Sequence, residues 1–299
     1  MQAQVVEVAT PGRFLTVERG FLCVAERQTE VARLPLDDIA AILITTPGAS
    51  FSTNLAESLA ERGTPLVICG RNFRPTAMLW PLEQHHEQAG RFQSQIGLSK
   101  PRKKNIWQQI VRAKILNQYS MLTSLGMSLP ILKRLAKEVK AGDSNNIEAQ
   151  AARYYWPTLF GSAFRRDVDM EGINSQLNYG YAVVRAMVAR AVCAAGFHPS
   201  FGIFHSNPKN TFQLVDDLME PFRPIVDYYV AGLDGEEEVS PAVKKRLASV
   251  TEHECEMGDE RCILAQAVHR YMRSYVEVVI GSTPKIEFPF LLMSSMDGQ

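Results

Sequence analysis

Up to residue 80 the apolar positions come in short β-branched runs: RFLTV, GFLCVA, TEVARLPL, IAAILITT, PLVIC and PTAMLW. Each is closed by glycine, proline or charge, and one amphipathic helix, TNLAESLAERG, lies between the fourth and fifth runs. From residue 104 the period lengthens to that of helices, in IWQQIVRAKILNQYSMLTSL, LPILKRLAKEVKAG and IEAQAARYYWPTLF, followed by a buried-looking helix from Leu177 to Ala195. EQHHEQAGRFQSQIGLSKPRKKN, polar and interrupted by Pro101, separates the two patterns as a linker or crossing segment. The pattern predicts an α+β chain: a small β-rich domain over 1–80, a linker over 81–103 and a larger all-α domain over 104–299. Later, GLDGEEEVSPAVKKRLASV reads as an acidic loop and then a helix, with Ser240 as N-cap and Pro241 at its first position.

Composition changes this picture little. The chain has 299 residues, ample for a large core, and its 32 basic and 32 acidic side chains cancel, so total charge neither predicts nor excludes a nucleic-acid partner. Local runs carry what charge signal there is: Lys100, Arg102, Lys103 and Lys104 in KPRKK, Arg165 and Arg166 in FRR, Arg71 and Arg74 in RNFR, and Lys209. For each run a solvated surface is the alternative to a phosphate contact. The five cysteines form no CxxC pair, which favours a reducing, cytoplasmic setting over a disulfide scaffold. The N-terminus lacks a signal-peptide pattern, and the most apolar helix carries Arg185 and Arg190 in its middle, so no membrane span is expected.

The chemistry concentrates in HSNPKNTFQLVDDLMEPFRP, from His205 to Pro224. Asn210 is a candidate cap for a helix with Gln213 as its third residue, and Asp216, Asp217 and Glu220 then share an arc of roughly 100° opposite Leu214, Val215, Leu218, Met219 and Phe222. Like charges so spaced repel unless the face is solvated or something positive lies against it. An ordinary acidic surface is one reading and half of a metal site is the other. Pro221 and Pro224 lack N–H groups, so the helix should bend or end at these acids. His205 with carboxylate oxygens suits Mn²⁺ or Mg²⁺. A further acid, Glu148, opens the helix IEAQAARYYWPTLF, with small Ala152 one turn on; the helix dipole alone would also favour an acid there.

Other stretches have weaker chemistry. His253, Cys255 and Cys262 in HECEMGDERC supply only three candidate zinc ligands at no familiar spacing, and a surface loop is expected. His85 and His86 lie in the polar linker and are read as solvated. In LNYGY, Asn178 and Tyr179 are candidates for supporting an active site, while Leu177, Tyr181 and Val184 read as core. The terminal IEFPFLLMSS is apolar and docks either on its own chain or on a partner. No GxSxG elbow or reactive-cysteine signature appears.

NNIEAQAARYYW, then INSQLNYGYAVVRAMVARAVCAAGFHPSFGIFH, then NTFQLVDDLMEPFRP together resemble the CRISPR-associated spacer-acquisition integrases, the Cas1 family, in motif order and spacing. Chain length and the DLMEPFRP form look closest to members from type II systems. The resemblance implies that Glu148, His205 and Glu220 are the metal-binding and catalytic residues, with Asp217 as a supporting acid or alternate ligand; Asp216 is not carried over. It also implies a Mg²⁺- or Mn²⁺-dependent joining of foreign DNA to a CRISPR repeat, by a homodimer assembled with a Cas2 dimer, with type II effector proteins as candidate helpers. A stand-alone nuclease for branched DNA and a non-catalytic DNA-binding scaffold are the competing readings. Among the basic residues, Lys209 and Arg166 are the leading DNA contacts, because they adjoin His205 and follow the Glu148 helix.

Overall fold

The computed structural model describes residues 4–70, 73, 75–79, 81, 85–233 and 239–292. Its first part comprises β1 (Gln4–Val8), β2 (Arg13–Glu18), β3 (Phe21–Glu26), β4 (Thr29–Pro35), β5 (Ile39–Ile44), β6 (Ser50–Phe51), α1 (Thr53–Glu61), β7 (Leu66–Cys69) and β8 (Pro75–Leu79). They form two four-stranded sheets, ordered β4-β3-β2-β6 and β1-β5-β7-β8. The runs read as strands are strands. The two that were missed, β1 and β6, pair parallel with β5 and β2, a long-range pairing with no local turn signal to announce it.

Strand β5 joins the two halves of the molecule. All six of its residues are buried. Ile42 and Ile44 enter the core between the sheets with Leu15, Leu22 and Leu55, while Ala41 and Leu43 point into the helical core. A strand buried on both faces loses the polar alternation of a half-exposed one. That explains the unbroken apolar run IAAILI.

The helical part contains α2 (Gln88–Ile96), α3 (Lys100–Ser124), α4 (Pro130–Glu138), α5 (Ile147–Phe160), α6 (Ile173–Ala194), α7 (Gln213–Met219), α8 (Arg223–Ala231) and α9 (Pro241–Ala248). It closes with β9 (Glu254–Met257), β10 (Glu260–Ile263), α10 (Leu264–Ile280) and β11 (Phe290–Leu291). The segment read as a linker thus holds α2 and the opening turn of α3, with Pro101 in that turn, where its missing N–H costs nothing. Helix α9 is capped as expected: Ser240 Oγ accepts from Val243 N at 3.2 Å. No helix among the described residues is long and apolar enough to cross a membrane.

Two expectations for the C-terminal part change. HECEMGDERC is a hairpin, not a loose surface loop: β9 and β10 pair antiparallel with Cys255 opposite Cys262, and Cys255 is fully buried. Burial also pushes the neighbouring His253 imidazole down to about 4. IEFPFLL docks on its own chain, where β11 adds to β9 and Leu291 is buried.

Buried α6 is the axis of this part, and at Gly180 it lies close against α8. A methyl group there would lie 2.4 Å from Val226 Cγ1 on α8. Gly180→Ala gains about 1 kcal/mol of helix propensity but overpacks by up to about 3 kcal/mol. The expected result is a net loss of about 1–2 kcal/mol, read as a lower urea midpoint at unchanged slope. An unchanged midpoint would mean that α6 and α8 separate freely.

Candidate active site

Glu148 is fixed by the turn before its helix. Gly142, Asp143 and Asn146 all have positive φ, and this tight path lets the Asp143 carboxylate turn back on α5. Its two oxygens accept from Ile147 N at 2.8 Å and Glu148 N at 3.0 Å. Asp143 therefore caps the helix and satisfies amides that the first turn leaves unpaired. Glu148 then reaches α3, where Lys114 Nζ donates to its Oε1 at 2.5 Å.

Glu220 is placed by the two prolines. Helix α7 ends at Met219, a 3-10 turn covers Glu220–Phe222, and α8 starts at Arg223. The Arg223 N–H bonds the Glu220 carbonyl, and Asn117 Nδ2 donates to the Pro221 carbonyl at 2.8 Å, so the bend leaves no stranded acceptor at either position. The Glu220 side chain is 7% exposed, with Arg223 Nε at 2.8 Å from Oε1 and Lys114 Nζ at 2.5 Å from Oε2. The Lys114 contact to Oε2 is an ion pair without hydrogen-bond alignment, so this buried oxygen has no directed donor. Burial disfavours the Glu220 anion, yet Arg223 and Lys114 overcome it and hold the carboxyl below its usual range.

Behind this pair, the Arg223 guanidinium sits 4.7 Å from the centre of the Tyr181 ring. Tyr181 and Tyr155 both donate to buried Asp227, whose carboxyl burial pushes up to about 6 against those two bonds. Tyr181 is thus the residue of LNYGY that reaches the site's surroundings. Asn178 instead binds the Val168 carbonyl and Arg166, and the Tyr179 hydroxyl donates to Glu7.

His205 is held by Asp217. The fully buried Asp217 carboxylate accepts from Ile203 N at 2.6 Å, Phe204 N at 2.9 Å and His205 N at 3.3 Å, and it bonds His205 Nδ1. A carboxylate on Nδ1 fixes the ring and leaves Nε2 available. The Asp217 bond raises the imidazole pKa against burial, and Glu220 and Glu148 add to the effect, so the ring lies within the field of both acids. The GIFH loop fits because Gly202 has no side chain: a methyl there would meet the His205 carbonyl at 2.5 Å. Phe204 stacks on Trp107 of α3 at 4.4 Å, with the His205 ring edge-on to both.

The expected acidic face is therefore divided. Asp216 turns to α6, where Arg185 grips it at 2.6 and 3.0 Å; Asp217 serves the loop; Glu220 meets Glu148 across Lys114. Helix α7 is enclosed and not a surface helix, since Leu214, Val215, Asp217, Leu218 and Met219 are all buried. Asn210 does not cap it; its Oδ1 accepts from Phe212 N at 2.9 Å ahead of a start at Gln213. Lys114, Arg223 and Asp143 did not emerge from sequence reasoning. A signal for Lys114 existed, because it shares a helix face with buried Ile110, Asn117 and Gln118.

The donor set fits a hard divalent cation: two carboxylates, one an oxygen without a directed donor, and an imidazole whose far nitrogen is oriented by an acid. Glu148 and Glu220 are brought together, while His205 stands further off. Among the described residues, only His85–His86–Glu87 and Glu18–Cys23–Glu30 have three donor atoms all within 4.8 Å of one another.

Several of the basic residues expected on DNA bond groups of the protein itself. Arg166 donates to Asn174 at 2.8 Å and Asn178 at 2.6 Å and lies over the Tyr181 ring, so it ties the α5–α6 connection instead of facing outward. Arg165 bonds the Ser162 and Phe164 carbonyls, Arg102 the Val278 carbonyl, and Lys103 the Gly202 carbonyl at 3.1 Å. Lys104 lays its stem against the turn at Gly142. Lys209 is exposed beside the His205 loop. Arg71 and Arg74 lie outside the described residues.

A family model described as CRISPR associated protein Cas1 matches residues 6–250. This chain belongs to the Cas1 family. It is 35% identical over 288 residues to the CRISPR-associated endonuclease Cas1 of Neisseria meningitidis serogroup C, covering 94% of each chain. It is 26% identical over 298 residues to a Cas1 endonuclease of Pyrobaculum aerophilum, covering 93% of this chain and 99% of that one. In fold, it resembles a casposase bound to integration product, with a TM-score of 0.82 at 18% identity, covering 95% of this chain and 93% of the other. A Cas1 protein from Thermotoga maritima gives 0.71 at 14% identity, covering 93% and 97%. The β-rich front followed by helices is thus the architecture of Cas1 proteins.

Proposed function

We propose that this Cas1 chain is a metal-dependent DNA integrase and endonuclease of CRISPR adaptation, working in the cytoplasm as a homodimer with a Cas2 dimer. The observation that carries the reading is that Glu148 and Glu220, from distant parts of the chain, both lie 2.5 Å from one ammonium, beside a histidine anchored by Asp217. Kinship with a named endonuclease and the fold shared with a casposase bound to integration product support it. The likeness to a Cas6-RT-Cas1–Cas2 complex, with a TM-score of 0.74 over 99% of this chain, supports a Cas2 partner. The type II-like motif form makes type II effectors the candidate helpers.

In this mechanism Glu148, Glu220 and His205 would hold Mg²⁺ or Mn²⁺, which would polarise a phosphate and lower the pKa of a hydroxyl. Asp217 keeps the His205 ring oriented through Nδ1. The 3′ oxygen of the incoming strand forms a bond to a repeat phosphorus while the bond from that phosphorus to the repeat's own 3′ oxygen breaks. One phosphodiester replaces another, so no protein nucleophile is needed. Water in place of the hydroxyl makes the same step a hydrolysis.

The test uses the purified chain, a short duplex with free 3′ hydroxyls and a supercoiled plasmid bearing a CRISPR repeat. Joined product is expected to require the 3′ hydroxyl and a divalent cation, and joining at both repeat ends is expected to require Cas2. Cleavage without joining, whether or not Cas2 is present, would favour a stand-alone nuclease. Binding alone would leave a scaffold.

A further inference from the structure

Lys114 is the cation at the centre of this site. It projects from α3 with its side chain 15% exposed, and its Nζ is 2.5 Å from Glu148 Oε1 and 2.5 Å from Glu220 Oε2. Two carboxylates drawn this close in a buried setting repel one another, and the ammonium between them offsets that repulsion. Burial works against a charged lysine, but Glu220 and Glu148 more than compensate and leave its affinity for the proton raised.

A divalent cation held by Glu148 and Glu220 would draw on carboxylate oxygens that the ammonium already engages. Arg223 Nε pairs with the other Glu220 oxygen, Oε1. Building on the metal reading above, we propose that Lys114 is a resident counter-cation of the Glu148–Glu220 pair that a divalent cation must displace in order to load. It thereby keeps the two acids together in the metal-free protein and weakens metal binding by competing for the same oxygens.

The experiment titrates the full-length, DNA-free protein with Mn²⁺ and follows the electron paramagnetic resonance signal of the free ion, with thermal melting in parallel. Lys114→Met is expected to bind Mn²⁺ about tenfold tighter or more, as loss of a competitor requires. It should melt lower than wild type without metal and gain more from Mn²⁺. Lys114→Arg, which keeps the charge, should stay close to wild-type affinity. Mn²⁺ binding by Lys114→Met that is no tighter than wild type would overturn the proposal. Should Lys114→Met fail to fold, Lys114→Gln carries the same comparison. Glu148→Gln separates the two levels. If it abolishes Mn²⁺ binding while Lys114→Met leaves affinity unchanged, only the displacement idea falls. If Glu148→Gln leaves Mn²⁺ binding intact, the metal reading falls and takes the proposal with it.

Discussion

Glu220→Ala is expected to lower DNA joining by about a thousandfold, in line with the loss of a principal charge-stabilising group. The substitution removes the oxygen that has no directed donor, strips Arg223 of its carboxylate and leaves Lys114 paired with Glu148 alone. Unpairing buried charge of this kind costs about 3–5 kcal/mol, so activity must be referred to the folded fraction measured by circular dichroism. Glu148→Ala supplies the cleaner comparison. Glu148 is 26% exposed, and its loss leaves Lys114 still paired with Glu220. Both variants are expected to keep most of their DNA affinity, measured by fluorescence anisotropy, because neither removes a surface cation. Wild-type joining by well-folded Glu220→Ala would remove that residue from the ligand set.

Asp217→Ala is expected to damage both the fold and the chemistry. One fully buried carboxylate accepts three consecutive backbone N–H groups and orients the His205 ring. Alanine would leave those amides without their acceptor, and Ile203, whose N–H is buried, would bear the full cost of about 1–3 kcal/mol, while exposed Phe204 and His205 would turn to water. A stability loss of about 1–3 kcal/mol by urea unfolding is therefore expected. Joining should fall by about 10–100-fold per folded molecule, the usual effect of removing a ligand's supporting acid. Exposed Lys209 is the internal contrast, since its replacement should leave stability unchanged. If Asp217→Ala unfolds at the wild-type urea midpoint, the loop is not hung on this carboxylate.

The two outcomes differ because Asp217 and Glu220, three residues apart in one motif, do different work. The prolines of DLMEPFRP announced a break at Glu220, and the break is there. Helical geometry, however, placed Asp216, Asp217 and Glu220 on a shared face, and that picture assumed a solvent-facing helix. An enclosed helix has neighbours all round, so each acid goes to whichever neighbour offers it a donor: α6 to Asp216, the GIFH loop to Asp217, α3 and α8 to Glu220. Arg166 illustrates the same limit from the basic side. Its position after the Glu148 helix made it a candidate DNA contact, whereas Asn174 and Asn178 claim its guanidinium within the fold.

By itself the amino-acid sequence determined the division into strands and helices, the Ser240 cap and the proline bend at Glu220. Each of these depends on residues within a few positions of one another, where backbone sterics and the alternation of apolar side chains act directly. Only the tertiary structure decided that Lys114 stands between Glu148 and Glu220, that Asp217 is spent on the His205 loop, and that IEFPFLL closes onto β9. Those contacts join segments from about a dozen to about a hundred residues apart. Charge pairing and strand addition depend on which surfaces the fold brings together, and no local period in the chain records that.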